Sequence, residues 1–469
     1  MDWRLVSLLL CLYGFLKEFR LIGAYLYEFH VSVKKFTPAQ LYGSVYPFWT
    51  YSYLVALVPV FLLTDLLRYK PVILLESAAY IATWALIIWG TSLLSQQLMQ
   101  IAYGWATATE VAYFAYIYAV VDERHYQRVT SFLRAALQAG QCSAFVLAQL
   151  AVAFHWASLQ TLNHITLASL CATLVLACLL PWVSWRRKRP VETNDDGAPS
   201  ERTKLRADAA SAAEPGSYGA FAAAYFSGLW ATFRTAYSTA FVWKWSLWWA
   251  VATCGYFQVG NYVQTLWGTM QADSGDLYNG AVEATATALS TVTILLMQFV
   301  RVRWEKWGEL LLTVLSLLDC ALLVAMASWE NLLGVYGLYV AFRALYQMMI
   351  TVAQFNLAMK LATESFGLVF GFNTFLALVL QTVLTLLFAD SAGFHLDIRS
   401  QFVVYGCYHG AAALFFLLTA VWTLIRTVRA PQPSQNGNAD DAKGPNDEKQ
   451  EQADSRPPSP EVESPTVHI

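Results

Sequence analysis

The sequence predicts an all-α membrane protein of twelve transmembrane helices arranged as two six-helix bundles, and three observations predict it. Of 469 residues, 57% are hydrophobic and only 13% charged, with a mean hydropathy of +0.42, where a soluble protein carries roughly 25% charged residues. Apolar stretches of spanning length, about 20 residues each, recur along the chain. A long polar segment divides them six and six. A net charge of −2 and a pI near 6.4 leave no basic stripe for nucleic acid. The seven cysteines lie mostly inside apolar runs, as Cys171 and Cys178 do. They have neither a CxxC pair nor a His spacing suited to zinc, and read as small core residues.

The expected spans are 3–26, 48–67, 71–93, 97–121, 128–154, 159–183, 240–267, 278–300, 308–328, 332–358, 364–389 and 400–427. The first is not a cleavable signal: Lys17, Glu18 and Arg20 interrupt it and no small-residue cleavage site follows. Residues 184–238 open on Arg186-Arg187-Lys188-Arg189 and continue rich in Ala, Ser, Glu and Asp, which reads as a mobile linker. Residues 430–469, dominated by Pro, Ser, Asn, Asp and Glu, have almost nothing to bury and read as disordered. The organisation is therefore a bundle over 1–183, a cytoplasmic linker over 184–238, a second bundle over 239–429 and a cytoplasmic tail over 430–469. Two-half carriers of this layout are structural repeats with the substrate site at their interface. The halves show no convincing sequence identity, so the repeat rests on layout alone.

Lys and Arg set the orientation. With the N-terminus inside, cytoplasmic loops hold Arg68, Lys70, Arg124, Arg128, the Arg186–Arg189 cluster, Arg301, Arg303, Lys306, Lys360, Arg426 and Arg429. The opposite loops hold Lys34 and Lys35, with Arg399 at a span edge. Both termini are expected in the cytoplasm.

An ionised side chain at mid-bilayer costs at least about 2.5–3.5 kcal/mol on insertion scales, so such residues face a cavity or a partner. In span four, Tyr103, Thr107, Glu110 and either Tyr113 or Phe114 fall on one helical face. This places an acid between aromatics; the alternative is a carboxyl bonded to a neighbouring helix. Phe257, Asn261 and Gln264 share a face of span seven, with a helix–helix hydrogen bond as the other reading of Asn261. Trp49, Ser52 and Tyr53 lie just inside the exterior end of span two, where Trp49 also fits an interfacial belt. Glu283 forms a stripe with Asn279 and Thr287, suited to packing or gating as much as to substrate. Arg343 is expected in an internal ion pair with Glu283 or Asp319. Gln138, Gln141, Gln149 and Gln381 are cheaper to bury, and His164 and His409 read as structural. Glu110, Glu283 and Asp319 against Arg343 leave an acidic, aromatic interior suited to an organic cation. A dianion asks for more Arg or Lys. No GxSxG, Walker A, GxGxxG or HExxH motif is present, so no enzyme, cofactor or metal site is expected.

Several blocks resemble the reduced folate carrier and thiamine transporter family of the major facilitator superfamily. They are Pro47-Phe48-Trp49-Thr50-Tyr51-Ser52-Tyr53, Leu62-Leu63-Thr64-Asp65, Arg68-Tyr69-Lys70-Pro71-Val72, Ala108-Thr109-Glu110-Val111-Ala112-Tyr113 and His125-Tyr126-Gln127-Arg128-Val129. Trp245-Ser246-Leu247-Trp248-Trp249, Tyr278-Asn279-Gly280-Ala281-Val282-Glu283 and Phe370-Gly371-Phe372-Asn373 continue the match in the second half. The resemblance implies alternating access by rocking of the two bundles. It implies thiamine as substrate, because thiamine-carrying members place Glu at the position of Glu110 where mammalian folate carriers place Arg. Folate carriers also have Lys at the position of Gln381. It carries a sandwich of the thiazolium ring onto Trp49 and Tyr113, and aminopyrimidine contacts onto Glu110 and Asn261. It also implies proton exchange. Three positions depart from the thiamine pattern. Gly23 replaces a site-lining Glu, Gln141 replaces a Tyr, and Arg343 matches the folate carriers.

The expectation is a plasma-membrane secondary transporter taking up thiamine. Trp49, Tyr53, Tyr103, Thr107, Glu110, Tyr113, Gln141, Phe257 and Asn261 are the substrate-binding residues. Asp65, Arg68, Arg128, Glu283 and Arg343 are ion-pair or gating residues. One rival is folate uptake by anion exchange. The other is a non-transporting receptor or scaffold, whose C-terminal Val467-His468-Ile469 offers a weak PDZ-domain ligand.

Overall fold

The computed structural model describes residues 3–67, 69–120, 126–182, 218–271, 278–297, 304–360 and 366–429. Long helices occupy all twelve places expected of spans. The first half holds α1 (Trp3–Glu18), α2 (Pro47–Leu67), α3 (Lys70–Trp89), α4 (Leu93–Val120), α5 (Tyr126–Ala153) and α6 (Leu159–Leu179). The second holds α7 (Ala240–Gln271), α8 (Asn279–Met297), α9 (Trp304–Ser328), α10 (Leu332–Lys360), α11 (Phe366–Leu384) and α12 (Ile398–Arg429). Helices satisfy every backbone N–H and C=O internally, which is the condition for crossing lipid. By length and composition eight of the described helices are apolar enough to cross a membrane. The four that fall short are α1, α4, α7 and α8, which carry much of the polar machinery described below.

Two expectations are corrected. Span one is not a continuous helix over 3–26. After Glu18 the chain turns through Arg20 (φ −108°, ψ 86°) into a 3-10 turn at Leu21–Tyr25, an α turn at Leu26–Glu28 and a π turn at Phe29–Val33. Arg20 and Glu18 are ion-paired at 2.6 Å, and residues two apart on an α-helix face away from each other. The linker reading also fails in part, because Tyr218–Ala236 is a helix. Its Phe233 packs edge-on against Phe372 of α11 at 4.8 Å between centroids, and the following Tyr237 donates to Asn373 Oδ1 at 2.8 Å. Residues 183–217 and 430–469, with the basic cluster, the tail and the C-terminal PDZ-like triplet, lie outside the described residues.

Packing reveals the repeat that residue identity conceals. In the first half α1 packs on α5 and α6, α2 on α4, α3 on α4 and α6; in the second α7 packs on α11 and α12, α8 on α10, α9 on α10 and α12. The halves meet along α2 with α11 and along α5 with α8, a pair of contacts exchanged by the same two-fold relation. Exposed tryptophans mark two levels. Trp89, Trp156 and Trp329 lie at one end, and Trp182, Trp243, Trp307 and Trp422 at the end where α1 starts and α12 stops. Two such levels match the aromatic belts of a bilayer.

The end away from the start of α1 and the stop of α12, the distal end, has one apolar core shared by both halves. Tyr27, Leu41, Val45 and Tyr46 pack there with Tyr262, Leu266 and Trp267 of α7. Toward the proximal end the described residues form separate cores, one around Tyr13, Leu57, Tyr113 and Tyr116 and one around Trp245, Trp248, Leu312 and Phe416. Leu378 of α11 joins the first of these.

Candidate functional site

The predicted face of α4 looks into the centre between the halves. Thr107 Oγ1 donates back to the Tyr103 carbonyl at 2.8 Å, and Trp49 of α2 donates its indole N–H to Thr107 at 3.3 Å. Gly104 lets α2 approach: a Cβ there would lie 2.6 Å from Ser52 Oγ, which donates to the Ile101 carbonyl at 2.8 Å. Trp49 is thereby set among Tyr53 (5.8 Å between centroids), Tyr103 (6.2 Å) and Phe257 of α7 (6.0 Å, nearly perpendicular). The expected aromatic surface is present and draws on both halves.

Glu110 is not a free acid. Its Oε1 lies 2.9 Å from Lys17 Nζ on α1, while Lys17 also contacts Glu76 Oε1 of α3 at 3.1 Å. Lys17 and Glu76 are fully buried, whereas the Glu110 side chain is 32% exposed. Tyr13 donates to Glu76 Oε2 at 2.8 Å, and the Tyr113 ring centroid is 4.8 Å from the ammonium. Glu110 is thus ion-paired to a neighbouring helix, and it is the more exposed carboxylate of the cluster.

Tyr113 is placed differently from expectation. It is fully buried, lies tilted against Tyr13 at 5.1 Å between centroids and donates to the Leu10 carbonyl at 2.8 Å. A Cβ at Gly14 would meet its hydroxyl at 2.3 Å, so α1 closes over it. Tyr103, Tyr53 and Phe257 are the rings in contact with Trp49. Asn261 is half-buried beside Phe257, and its amide nitrogen has no hydrogen-bond partner among the described residues. Gln141 is half-buried on α5.

Glu283 and Arg343 form the ion pair, at 3.2 Å, with Tyr339 donating to Glu283 at 2.8 Å and accepting from Arg343 at 2.7 Å. Arg343 also lies over Tyr256 at 5.3 Å. Asp319 is not its partner and sits 3.7 Å from His409. Gln381 is buried against Gln258. Arg68 lies outside the described residues, as do the side chains of Asp65 and Arg128.

The structure adds Lys17, Glu18, Arg20 and Glu76 to the charged groups beside the candidate site. In the sequence the first three read only as breaks in span one, and Glu76 is hidden in the apolar run of span three. The cost of a lone intramembrane charge applies to each, so Lys17 and Glu76 in different spans were a pair waiting to be drawn. Arg20 completes a second cluster: paired with Glu18, it donates to Tyr103 at 3.2 Å and lies over Tyr80 (5.3 Å) and Trp84 (5.9 Å).

Above this centre the distal end is latched between halves. Tyr51 donates to Asp390 Oδ2 at 2.5 Å, Ser391 N donates to the Gly43 carbonyl at 3.0 Å, and Tyr42 stacks on His395 at 5.3 Å. Two glutamines cross reciprocally. Gln264 of α7 donates to the Gly23 carbonyl and accepts from Tyr27 N, while Gln149 of α5 accepts from Tyr25 and from Ala281 N of α8. Gly268 makes room, since a Cβ would lie 2.0 Å from the Tyr27 ring. The distal end is thus held together by contacts between the halves, beside a cluster of aromatic and charged side chains.

Comparison with known proteins agrees. Residues 1–404 match the family model described as reduced folate carrier. Folate-like transporter 3 of Caenorhabditis elegans is 41% identical, covering 91% of this chain and 98% of that protein. Thiamine transporter 1 of Mus musculus is 37% identical, covering 93% and 94%. The crystal structure of a D-xylose–proton symporter superposes with a TM-score of 0.60 at 12% identity, over 88% of this chain and 97% of that one; this likeness shows the fold alone. The chain belongs to the reduced folate carrier family, as a multi-pass membrane transporter of the major facilitator fold.

Proposed function

We propose that this transporter takes up thiamine across the plasma membrane, with both termini cytoplasmic and the distal end facing outside. The observation that carries the reading is the charge around Lys17: two carboxylates, Glu76 and Glu110, surround one buried ammonium. The excess is negative, and the exposed member, Glu110, shares a helix face with Thr107 and Tyr103, beside Trp49. A permanently cationic, flat heterocycle meets ion pairing and ring stacking there. Arg20 and Arg343 each have a carboxylate partner already, so a dianion has no uncommitted guanidinium among these clusters. Asn261, with its unpaired amide nitrogen, supplies a hydrogen bond from the other half.

In the proposed cycle substrate enters from outside between the bundles and binds at Trp49, Glu110 and Asn261. The distal contacts then close, and release follows at the cytoplasmic end. Proton exchange is part of the proposal, with inward thiamine flux accelerated by an outward-directed proton gradient. The test is saturable uptake of labelled thiamine in cells expressing the chain. Glu110→Gln is expected to abolish uptake at normal surface expression, and undiminished uptake contradicts the role of that residue.

Folate uptake is the second reading. Arg20 in its cage of Tyr80, Trp84 and Tyr103 favours it, since a pterin ring and a carboxylate find partners there if Glu18 is displaced. Saturable methotrexate entry without thiamine entry would select it.

A further inference from the structure

The Lys17 cluster assigns a part to two residues outside the substrate contacts. The ammonium is held at 2.9 Å by Glu110 and at 3.1 Å by Glu76. The two carboxylates are unequal. Glu76 is fully buried, with its second oxygen taken by Tyr13 at 2.8 Å. Glu110 is part-exposed, and among the described residues its Oε2 receives no hydrogen bond. One side of the pair therefore anchors Lys17 and the other opens toward the centre.

We propose that Lys17 is the transporter's resident counter-cation: it neutralises Glu110 while the site is empty, and a cationic substrate displaces it onto Glu76. The inference rests on the reading of the substrate as a cation. Leaving a buried charge without a partner is strongly destabilising. Two carboxylates for one ammonium remove that penalty, because Lys17 keeps Glu76 when Glu110 turns to the substrate. In the loaded state two cations face two carboxylates and the cluster is neutral. On release Lys17 returns to Glu110 and competes against rebinding. Lys17 sits at the end of α1, one residue before the helix stops at Glu18, so the exchange of partners acts where the chain is already bent. Lys17 and Glu76 are positioning residues; neither needs to touch the substrate.

The test is the kinetics of labelled thiamine uptake in proteoliposomes holding the full chain. In Glu76→Gln, Lys17 has Glu110 as its only direct ion-pair partner among the described residues and competes harder, so KM rises about tenfold while the maximal rate is kept within about twofold. In Lys17→Met with Glu76→Gln, Glu110 has no resident cation. KM then falls below that of the parent, and the maximal rate falls with it because release is slowed. Opposite KM shifts in two variants that share one substitution are not produced by a merely structural role. Lys17→Arg, which keeps the charge and grips both carboxylates, raises KM with the fold preserved. It serves as the second variant if the double substitution does not reach the membrane. KM unchanged in every variant, or raised alike in Glu76→Gln and the double variant, overturns the inference while the substrate reading stands. Absence of saturable thiamine uptake by the parent overturns both, and is seen before any variant is compared.

Discussion

At the residue scale the central acid was legible and its surroundings were only partly so. Glu110, Thr107 and Tyr103 are recoverable from a helical period and the cost of charge in lipid, because both depend on local sequence. What holds Glu110 is Lys17 of α1, 93 positions away and itself anchored by Glu76 of α3, and a one-dimensional pattern carries no such distance. Tyr113 shows the same limit: three residues beyond Glu110, it is close enough in period to share its face, yet turns its hydroxyl to the Leu10 carbonyl. This separates two substitutions. Trp49→Ala removes the indole at the centre of the aromatic surface and is expected to raise KM for thiamine on the order of tenfold. Tyr113→Phe removes a buried hydrogen bond, so it costs about 1 kcal/mol of stability and leaves KM unchanged in this conformation's account. A thermal shift of the purified variant beside its uptake curve checks the pair.

Among elements, the long apolar runs fixed where helices lie, and polar content marked which of them face the centre. The helices that fall short of a simple span in length or apolarity, α1, α4, α7 and α8, are the ones that carry Lys17, Glu110, Asn261 and Glu283. The break after Glu18 was signalled by the charges but read as a continuous span, because hydropathy averages over a window and does not see an ion pair closing on itself. The helix at Tyr218–Ala236 escaped because its neighbourhood is rich in Ala and Ser, whereas its ordering comes from tertiary contacts of Phe233 and Tyr237 with α11. The start of α12 gives a test outside the bilayer. Asp397 accepts from Ser400 N at 3.2 Å, and hydrogen bonds from Ser400 hold its carboxyl below the usual value. The sign follows: this contribution is present above the ordinary Asp value and is lost as pH falls through the lowered one. Asp397→Ala is expected to cost about 1 kcal/mol near neutral pH, with the difference from the parent vanishing in acid, read from denaturation at several pH values.

For the whole molecule, most helix pairings of the first half recur in the second, although α7 packs on α10 far more extensively than α1 does on α4. Apolar side chains of similar volume substitute for one another in such interfaces, so identity fades before architecture does. The shared distal core and its latch place the molecule with that end shut. Gly268→Ala puts a methyl group into the Tyr27 ring and is expected to shift the population toward distal opening. In a cysteine-free background, a membrane-impermeant thiol reagent added outside should then label a cysteine at the buried Thr265 faster than in the parent. Equal labelling contradicts the assignment of the seal.

The account stands or falls on a cation resting against Glu110. The direct measurement is uptake of labelled thiamine into proteoliposomes containing the purified chain, set beside its Glu110→Gln variant and repeated with excess methotrexate. The account predicts saturable entry, lost in the variant and little reduced by methotrexate. Entry of methotrexate in place of thiamine, or thiamine entry indifferent to the loss of that carboxylate, would contradict it.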